Sequence, residues 1–261
     1  MPKRNVYVSD RSSQILDAVA AYDRLAPIYP QIATARKPYL ESIGNLIVAR
    51  VPSGSQSLLD VGAGNGARAL RIAKASNLDE VVLLEPSREM VKSCPAATEV
   101  WAIRAEELSS DEFAGRCFAP ERRFDIIMCL WNVLGHIAPH ANRVQVLRQL
   151  GSMLSPQGIL FVDVNHRYNI QSYGLGKTIS RFLYDQLWPG ERNGDVTPTW
   201  DIDDVKCSTY GHVFTQKEIR KLAAAAHLRI EERLVIDYDT GVLRRFGFQG
   251  NLLYAFRQLS E

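Results

Sequence analysis

Three glycines stand within five residues, Gly62, Gly64 and Gly66, inside "LLDVGAGNGARAL" (58–70), where an apolar run gives way to a helical pattern. Glycine tolerates positive φ angles and has no side chain to hold a ligand off the backbone. The helix beginning near Gly66 adds unpaired N–H groups, which suit a phosphate or a carboxylate. Spacing narrows the choice. The turn reads GxGxG with Asp60 two residues ahead, whereas the dinucleotide fingerprint is GxGxxG and a P-loop needs GxxxxGK followed by Ser or Thr. The next apolar run, "VVLLEP", ends in Glu85, a carboxylate able to accept from both ribose hydroxyls of a nucleoside and at odds with a 2′-phosphate. After the third run, "IRAEEL" sets Glu106 and Glu107 to take the exocyclic amine of an adenine. After the fourth comes "CLWNVLGHI".

Such a turn needs elements to aim it. Short apolar runs, "SLLDV" (57–61), "EVVLLE" (80–85), "EVWAI" (99–103), "FDIIMCL" (124–130) and "GILFVDV" (158–164), alternate with helical patterns at 66–75, 87–94 and 142–154 and a less regular connection at 105–118. This alternation predicts βαβ units and an α/β fold around a parallel sheet. The runs are nearly continuous in Val, Ile and Leu, as strands buried on both faces should be. Ligands of open α/β sheets sit beyond the carboxyl ends of the strands, where the glycine turn and Glu85 fall. Ahead of the sheet, Ile15, Leu16, Val19, Ala20 and Leu25 recur at helical spacing, "APIYP" (26–30) breaks the pattern, and a second helix is expected from about Ala33 to Arg50. Residues 165–212 are polar, aromatic and turn-rich. "TQKE" (215–218) is a capping box in which Thr215 caps a helix running to about Ala226 and Glu218 reaches back. "LRIEERLVIDY" and "NLLYAFRQ" read as closing strands.

The 261 residues are 46% hydrophobic, enough for a full core in one domain, and their 31 basic and 29 acidic side chains leave a net charge of +2. That balance argues against a surface built to wrap nucleic acid or to dock on an anionic membrane. Cys94, Cys117, Cys129 and Cys207 show no CxxC pair and no histidine at ligand spacing, which favours reduced thiols in a cytoplasmic protein over a disulfide framework. "MPKRNVYVSDRSSQ" (1–14) lacks the apolar stretch of a signal peptide, and no run reaches the roughly 18 apolar residues of a membrane span.

Taken in order, these motifs resemble those of the class I S-adenosylmethionine-dependent methyltransferases, by motif over about residues 55–165 and by layout over about 20–260. "LLDVGAGNG" is similar to the family's first motif, "LLEPSREM" to the second, "RAEEL" to the third, and "FDIIMCLWNVLGHI" with "LSPQGILFVDV" to the fourth and the segment after it. "YDRLAPIYP" (22–30) resembles the YDxxAxxY lid of small-molecule members. The resemblance implies a Rossmann-like, seven-stranded, mostly parallel sheet with an antiparallel last strand and helices on both faces. It also implies one domain with an N-terminal helical lid (1–52), a cofactor-binding core (53–165), an acceptor-binding insertion after the fifth strand (166–212) and a C-terminal helix and strands (213–261). On this resemblance S-adenosylmethionine would meet Tyr22, Tyr29, Asp60, Gly62, Ala63, Gly64, Asn65, Gly66, Glu85, Pro86, Met90, Ala105, Glu106, Glu107, Cys129, Leu130 and Trp131.

The implied reaction is methyl transfer to an O, N or C nucleophile of a small molecule, giving S-adenosylhomocysteine without a metal. The sulfonium already activates the methyl group, so alignment and exclusion of water are the protein's main tasks. A base is needed only where the acceptor must lose a proton. His166, just past the fifth strand, is the first candidate and His136 the second. Asn165, Arg167 and Tyr168 share the edge with His166. Arg167 could grip an acidic acceptor bidentately or anchor the insertion. Asn132 is expected beside the acceptor, and Tyr184, Trp188, Trp200 and Tyr210 either wall it or pack the insertion. "DIDD" (201–204) could attract a cationic acceptor. Two alternatives stay open: an RNA or protein acceptor, marked by a basic stripe around Arg143, Arg148 and Arg167, and a catalytically silent cofactor- or partner-binding protein on the same fold. Monomer and homodimer are both compatible with the sequence.

Overall fold

The computed structural model describes residues 15–96, 98–109, 122–202 and 205–259. The N-terminal stretch 1–14, Cys117 and the acids Asp203 and Asp204 lie outside the described residues. Among the described residues the sheet has eight strands, of which seven are its principal ones: β1 (Ser57–Val61), β2 (Glu80–Leu84), β3 (Glu99–Trp101), β4 (Phe124–Cys129), β5 (Leu154–Val164), β6 (Leu228–Ile236) and β7 (Asn251–Gln258). Their spatial order is β6-β7-β5-β4-β1-β2-β3, and the short strand Leu243–Arg244 adds to the outer edge of β6. The first five strands pair in parallel, and β7 runs antiparallel between β5 and β6.

Alternation along each strand splits the core into two layers. Leu58, Leu83, Ile126, Met128 and Phe161 face α3 (Lys37–Val48) and α4 (Ala67–Ser76), meeting Tyr39, Ile43, Ile47, Ala69 and Ile72. Leu59, Val82, Ile127, Leu160 and Val162 face α5 (His140–Ser152) and α7 (Gln216–Ala225), meeting Val146, Leu150, Ile219 and Leu222. With all five residues of β1 buried, every position contributes to one layer or the other, and each fully buried Leu, Ile or Val stabilises by roughly 1.5–3 kcal/mol. Register then aims the site. Val61 pairs with Leu84 on one side and with Cys129 on the other, so Gly62, Glu85 and Leu130 leave the sheet side by side.

Three local expectations give way to tertiary contacts. The first helix, α1 (Ala18–Leu25), starts later than its apolar spacing suggests, because Asp17 caps it by accepting from Val19 N. Ile15 and Leu16 instead form a short parallel strand against Ser208 and Thr209. The second helix is two pieces, α2 (Tyr29–Ala35) and α3, broken at Arg36 just before Pro38. The 165–212 segment holds a thirteen-residue helix, α6 (Leu175–Leu187), besides short strands at Thr199–Ile202 and Val205–Thr209. Ala21 and Leu25 of α1 pack with Ile28 and Cys207 in a third apolar cluster, flanked by Trp200 and Ile202.

The capping box is formed as its spacing predicts: Glu218 N donates to Thr215 Oγ1 at 3.1 Å and Thr215 N to Glu218 Oε2 at 3.4 Å. Thr215→Ala should therefore cost about 1 kcal/mol, read as a lower denaturation midpoint at unchanged m-value, with Thr215→Ser close to wild type. An Ala variant as stable as the parent would show that the cap contributes nothing.

Candidate active site

The carboxyl ends of β1, β2 and β4 open into a cleft. After Val61 the chain turns away through Gly62 and Gly64 at φ +68° and +60°, a left-handed conformation that glycine adopts without steric cost. A Cβ on Gly62 would strike Val133, and one on Gly64 would stand 3.0 Å from Tyr29 Oη. Gly62 and Ala63 donate their N–H groups to Leu84 O at 2.8 and 3.2 Å. Glu85 completes the join: its Oε2 accepts from Gly64 N at 2.7 Å and its Oε1 from Ser87 N at 2.9 Å. The side chain is buried, and burial pushes its carboxyl up to about 7 although both N–H groups pull it down. Each oxygen has a second lone pair, and the residue lines the cleft.

Arg68, on the first turn of α4, lines the same cleft. Behind it Asp60 is fully buried, with neither oxygen hydrogen-bonded and the guanidinium 3.6 Å away. Arg68 Nε has no partner either. Burial raises the Asp60 carboxyl above the usual range, and the nearby Arg68 opposes it. This under-satisfied cation beside the glycine turn fits an incoming carboxylate.

The opposite end of the cleft is lined by Pro86, Arg104, Ala105 and Glu106. Arg104 donates to Asp17 at 2.6 and 3.1 Å, and Asp23 accepts from Ser87 Oγ and Glu89 N at 2.7 and 3.2 Å. Those bonds pin α1 over the cleft, so Ala18, Val19 and Tyr22 form its roof. Tyr29 stands 5.8 Å from Trp131, centroid to centroid. Trp131 and Asn132 are consecutive non-glycine residues at φ +59° and +62°, a conformation that costs on the order of 1–3 kcal/mol each and persists only where surroundings over-determine it. Here Trp131 N donates to Asp163 Oδ2 at 3.0 Å, Asn132 N to Asp163 O at 3.0 Å and Tyr39 Oη to Asp163 Oδ1 at 2.6 Å. Burial pushes the Asp163 carboxyl up to about 6.

His136 also lines the cleft. Its Nδ1 lies 2.8 Å from Tyr210 O and its Nε2 3.3 Å from Tyr22 Oη. A carbonyl only accepts, so Nδ1 carries the proton, and Nε2 accepts from the Tyr22 hydroxyl. Burial lowers the His136 pKa and raises both tyrosines, Tyr29 to about 12 and Tyr22 further.

Of the cofactor residues expected from sequence, Tyr22, Tyr29, Gly62, Gly64, Glu85, Pro86, Ala105, Glu106, Leu130 and Trp131 line the cleft. Asp60, Ala63, Asn65, Gly66, Met90, Glu107 and Cys129 do not. Glu107 accepts from Arg104 N at 2.7 Å, Asn65 from Ala67 N at 3.3 Å, and a Cβ on Gly66 would meet Leu83. His166 also lies off the cleft, buried, with Nδ1 2.7 Å from Gly247 O and its pKa lowered to about 4 by burial. Arg167 is buried and occupied, donating to Asp185, Glu218 and Val213 O at 2.9, 3.2 and 3.2 Å, while Tyr168 Oη donates to Asp185 at 2.5 Å. Its geometry is that of an anchor. The Asn132 amide bridges His212 O and Asn165 N, and Asn165 accepts from Asn251. Tyr184 stands exposed on α6 and Trp188 just past its end, Trp200 packs 6.2 Å from Tyr22, and Tyr210 Oη donates to Asp195. Sequence reasoning missed Arg68, Arg104 and Val133. Arg68 was findable, since two residues past Gly66 is the first helical turn, which faces the ligand edge.

Residues 21–233 match a family model described as a methyltransferase domain. No curated protein matches the chain. Among solved structures, the CcbJ methyltransferase of Streptomyces caelestis superposes at a TM-score of 0.65 with 14% identity, over 92% of this chain and 98% of that one. A chain from a Haloferax volcanii complex of the Trm112 methyltransferase activator with a methyltransferase reaches 0.62 at 15% identity, over 93% and 97%. The sugar N-methyltransferase KedS8 of a Streptoalloteichus species reaches 0.57 at 17%, over 99% and 98%.

Because burial raises Glu85 above its unfolded value, the group favours the folded state most below pH about 4.5 and loses that contribution as pH rises to about 7. Asp163 acts with the same sign but is spent by about pH 6. Between pH 6 and 7, Glu85→Gln should therefore unfold at a temperature less dependent on pH than wild type, by scanning calorimetry. Equal slopes would mean that Glu85 ionises in the fold as it does in water.

Proposed function

Because the chain belongs to the class I S-adenosylmethionine-dependent methyltransferases, we propose that it methylates a small-molecule acceptor and holds its cofactor in the cleft above the glycine turn. The observation that carries the reading is the pair of charged groups lining that one cleft: the Glu85 carboxyl, each oxygen bonded once and with a lone pair to spare, and the Arg68 guanidinium, whose Nε has no partner, under a roof of tyrosines. Glu85 would accept the ribose hydroxyls and Arg68 the methionine carboxylate, while Pro86, Ala105 and Glu106 would surround the adenine. Asp60 would hold Arg68 from behind. S-adenosylmethionine, when bound, supplies a methyl group on a sulfonium whose leaving group is a neutral thioether. Tyr22, Tyr29 and Trp131 exclude water from the place where it would lie. Residues 1–52 would serve as the lid, 53–165 as the cofactor-binding core and 166–212 as the acceptor side.

His136 is the stronger candidate for a base, since its unprotonated Nε2 faces the cleft and burial keeps the ring neutral. Where the acceptor carries a proton, Nε2 would exchange the Tyr22 hydroxyl for it. His166, off the cleft and bonded to Gly247 O, would act only through the packing of that edge. A small acceptor accords with the sugar N-methyltransferase among the structures of similar fold. It also accords with the burial of Arg143 and Arg167, which removes the two ends of the basic stripe that an RNA acceptor would need. No helix among the described residues is long and apolar enough to cross a membrane.

Calorimetric titration with S-adenosylmethionine, S-adenosylhomocysteine and NADH tests the reading. Both sulfur nucleosides should bind and NADH should not, and Gly64→Val should abolish the binding by driving a side chain into Tyr29. Silence with both nucleosides would sink the proposal. Against an acceptor that must lose a proton, His136→Ala should keep the cofactor affinity and lower kcat by about 100-fold or more. An unchanged kcat would remove the histidine from the chemistry.

A further inference from the structure

A surface helix of a globular protein turns its apolar stripe to the core and its polar face to water. α6 does the reverse. Its body-facing side carries Thr178, buried, with Arg181 and Asp185 half-buried. Asp185 accepts from Arg167 and Tyr168, and Arg181 donates to Arg167 O at 3.3 Å and lies over the Tyr173 ring. The outer side carries Leu175, Ile179, Phe182, Leu183 and Leu187, exposed by 58, 48, 47, 53 and 65%. These polar contacts therefore fix the helix's rotation, and turning the stripe inward would break the buried Arg167–Asp185 ion pair. Leaving that much contiguous apolar surface in water is costly, and such a surface marks an interaction face.

We propose that the stripe is the interface of a homodimer in which two α6 helices pack antiparallel across a two-fold axis. Such an interface is isologous and must complement itself. The stripe does: Leu175 and Leu187 lie equally far from Arg181 in the sequence, and so do Ile179 and Leu183. An axis at the height of residue 181 sets Leu175 against the partner's Leu187 and Ile179 against the partner's Leu183. No charged residue interrupts the stripe, and the small residues Gly176 and Ser180 on the same side let the helices approach closely. Gly176, Ser180 and Gln186 are exposed among the five apolar side chains, so the stripe is continuous along the whole helix.

Light scattering and sedimentation of the full chain across the micromolar range decide the matter. Wild type should have the mass of a dimer. Ile179→Glu and Leu183→Lys should each halve that mass while leaving S-adenosylmethionine affinity within about twofold. Mixing the two variants should restore the dimer, because only antiparallel pairing brings position 179 against position 183. A wild type that stays monomeric overturns the proposal, and if that monomer binds anionic lipid vesicles the stripe is a membrane face instead. A dimer that survives both substitutions, or variants that fail to rescue each other, overturns it as well.

Discussion

The 2.7 Å bond from Gly64 N to the Glu85 carboxylate holds together the two chain segments that leave the sheet at the cleft. One oxygen grips the glycine turn after β1, and the other grips the chain after β2 through Ser87 N. The carboxylate can do this because it lies out of water, where a charge-assisted hydrogen bond is at its strongest. Each oxygen is bonded once, so the group that organises the turn has a second lone pair on each for a ligand, while the same burial pushes its carboxyl up to about 7. Removing side chains at Gly62 and Gly64 is the complementary condition, since a Cβ at either would meet Val133 or Tyr29.

Across the cleft a second buried carboxylate stabilises a conformation the local sequence disfavours. Trp131 and Asn132 both sit in the left-handed region, and Asp163 holds them by side chain and carbonyl while Tyr39 secures Asp163 from α3. The strain sets Trp131 in the cleft wall opposite Tyr29. His136 follows on the next turn, oriented by Tyr210 O from the insertion. The cleft and the insertion are thus joined through one imidazole, whose tautomer is set by a carbonyl distant in sequence.

The insertion is held by polar contacts. Arg167 bridges Asp185 and Glu218, and His212 lies between Asp195 and Glu218 at 2.8 Å from each. Breaking one partner of such a buried set leaves an uncompensated charge and is strongly destabilising. Glu218 therefore has two duties, closing the capping box of α7 and anchoring the insertion. The arrangement explains why α6 can present its apolar side to solvent, since its attachment depends on Asp185 and Arg181.

The antiparallel last strand was implied only by the family resemblance, whereas the sequence by itself determined the strand–helix alternation, the glycine turn, Glu85 and the Thr215 cap. Each is a local signal: a period, a dihedral that only glycine meets cheaply, or a partner three residues away. It also brought His136 and the two tyrosines into consideration, but ranked His166 ahead of His136. Tertiary structure alone decided that His136 lines the cleft while His166 is spent on Gly247 O, and that Arg167 is an anchor. Ile15 and Leu16 show the reason. Their helical spacing was overridden by a strand partner nearly two hundred residues away, at Ser208 and Thr209. α6 makes the same point, since it lies in a segment read as turn-rich and the side it buries is set by the bonds of Asp185 and Arg181 to Arg167. A side chain's type is written in the sequence, but whether its hydrogen-bonding capacity is already taken depends on neighbours that only the fold supplies.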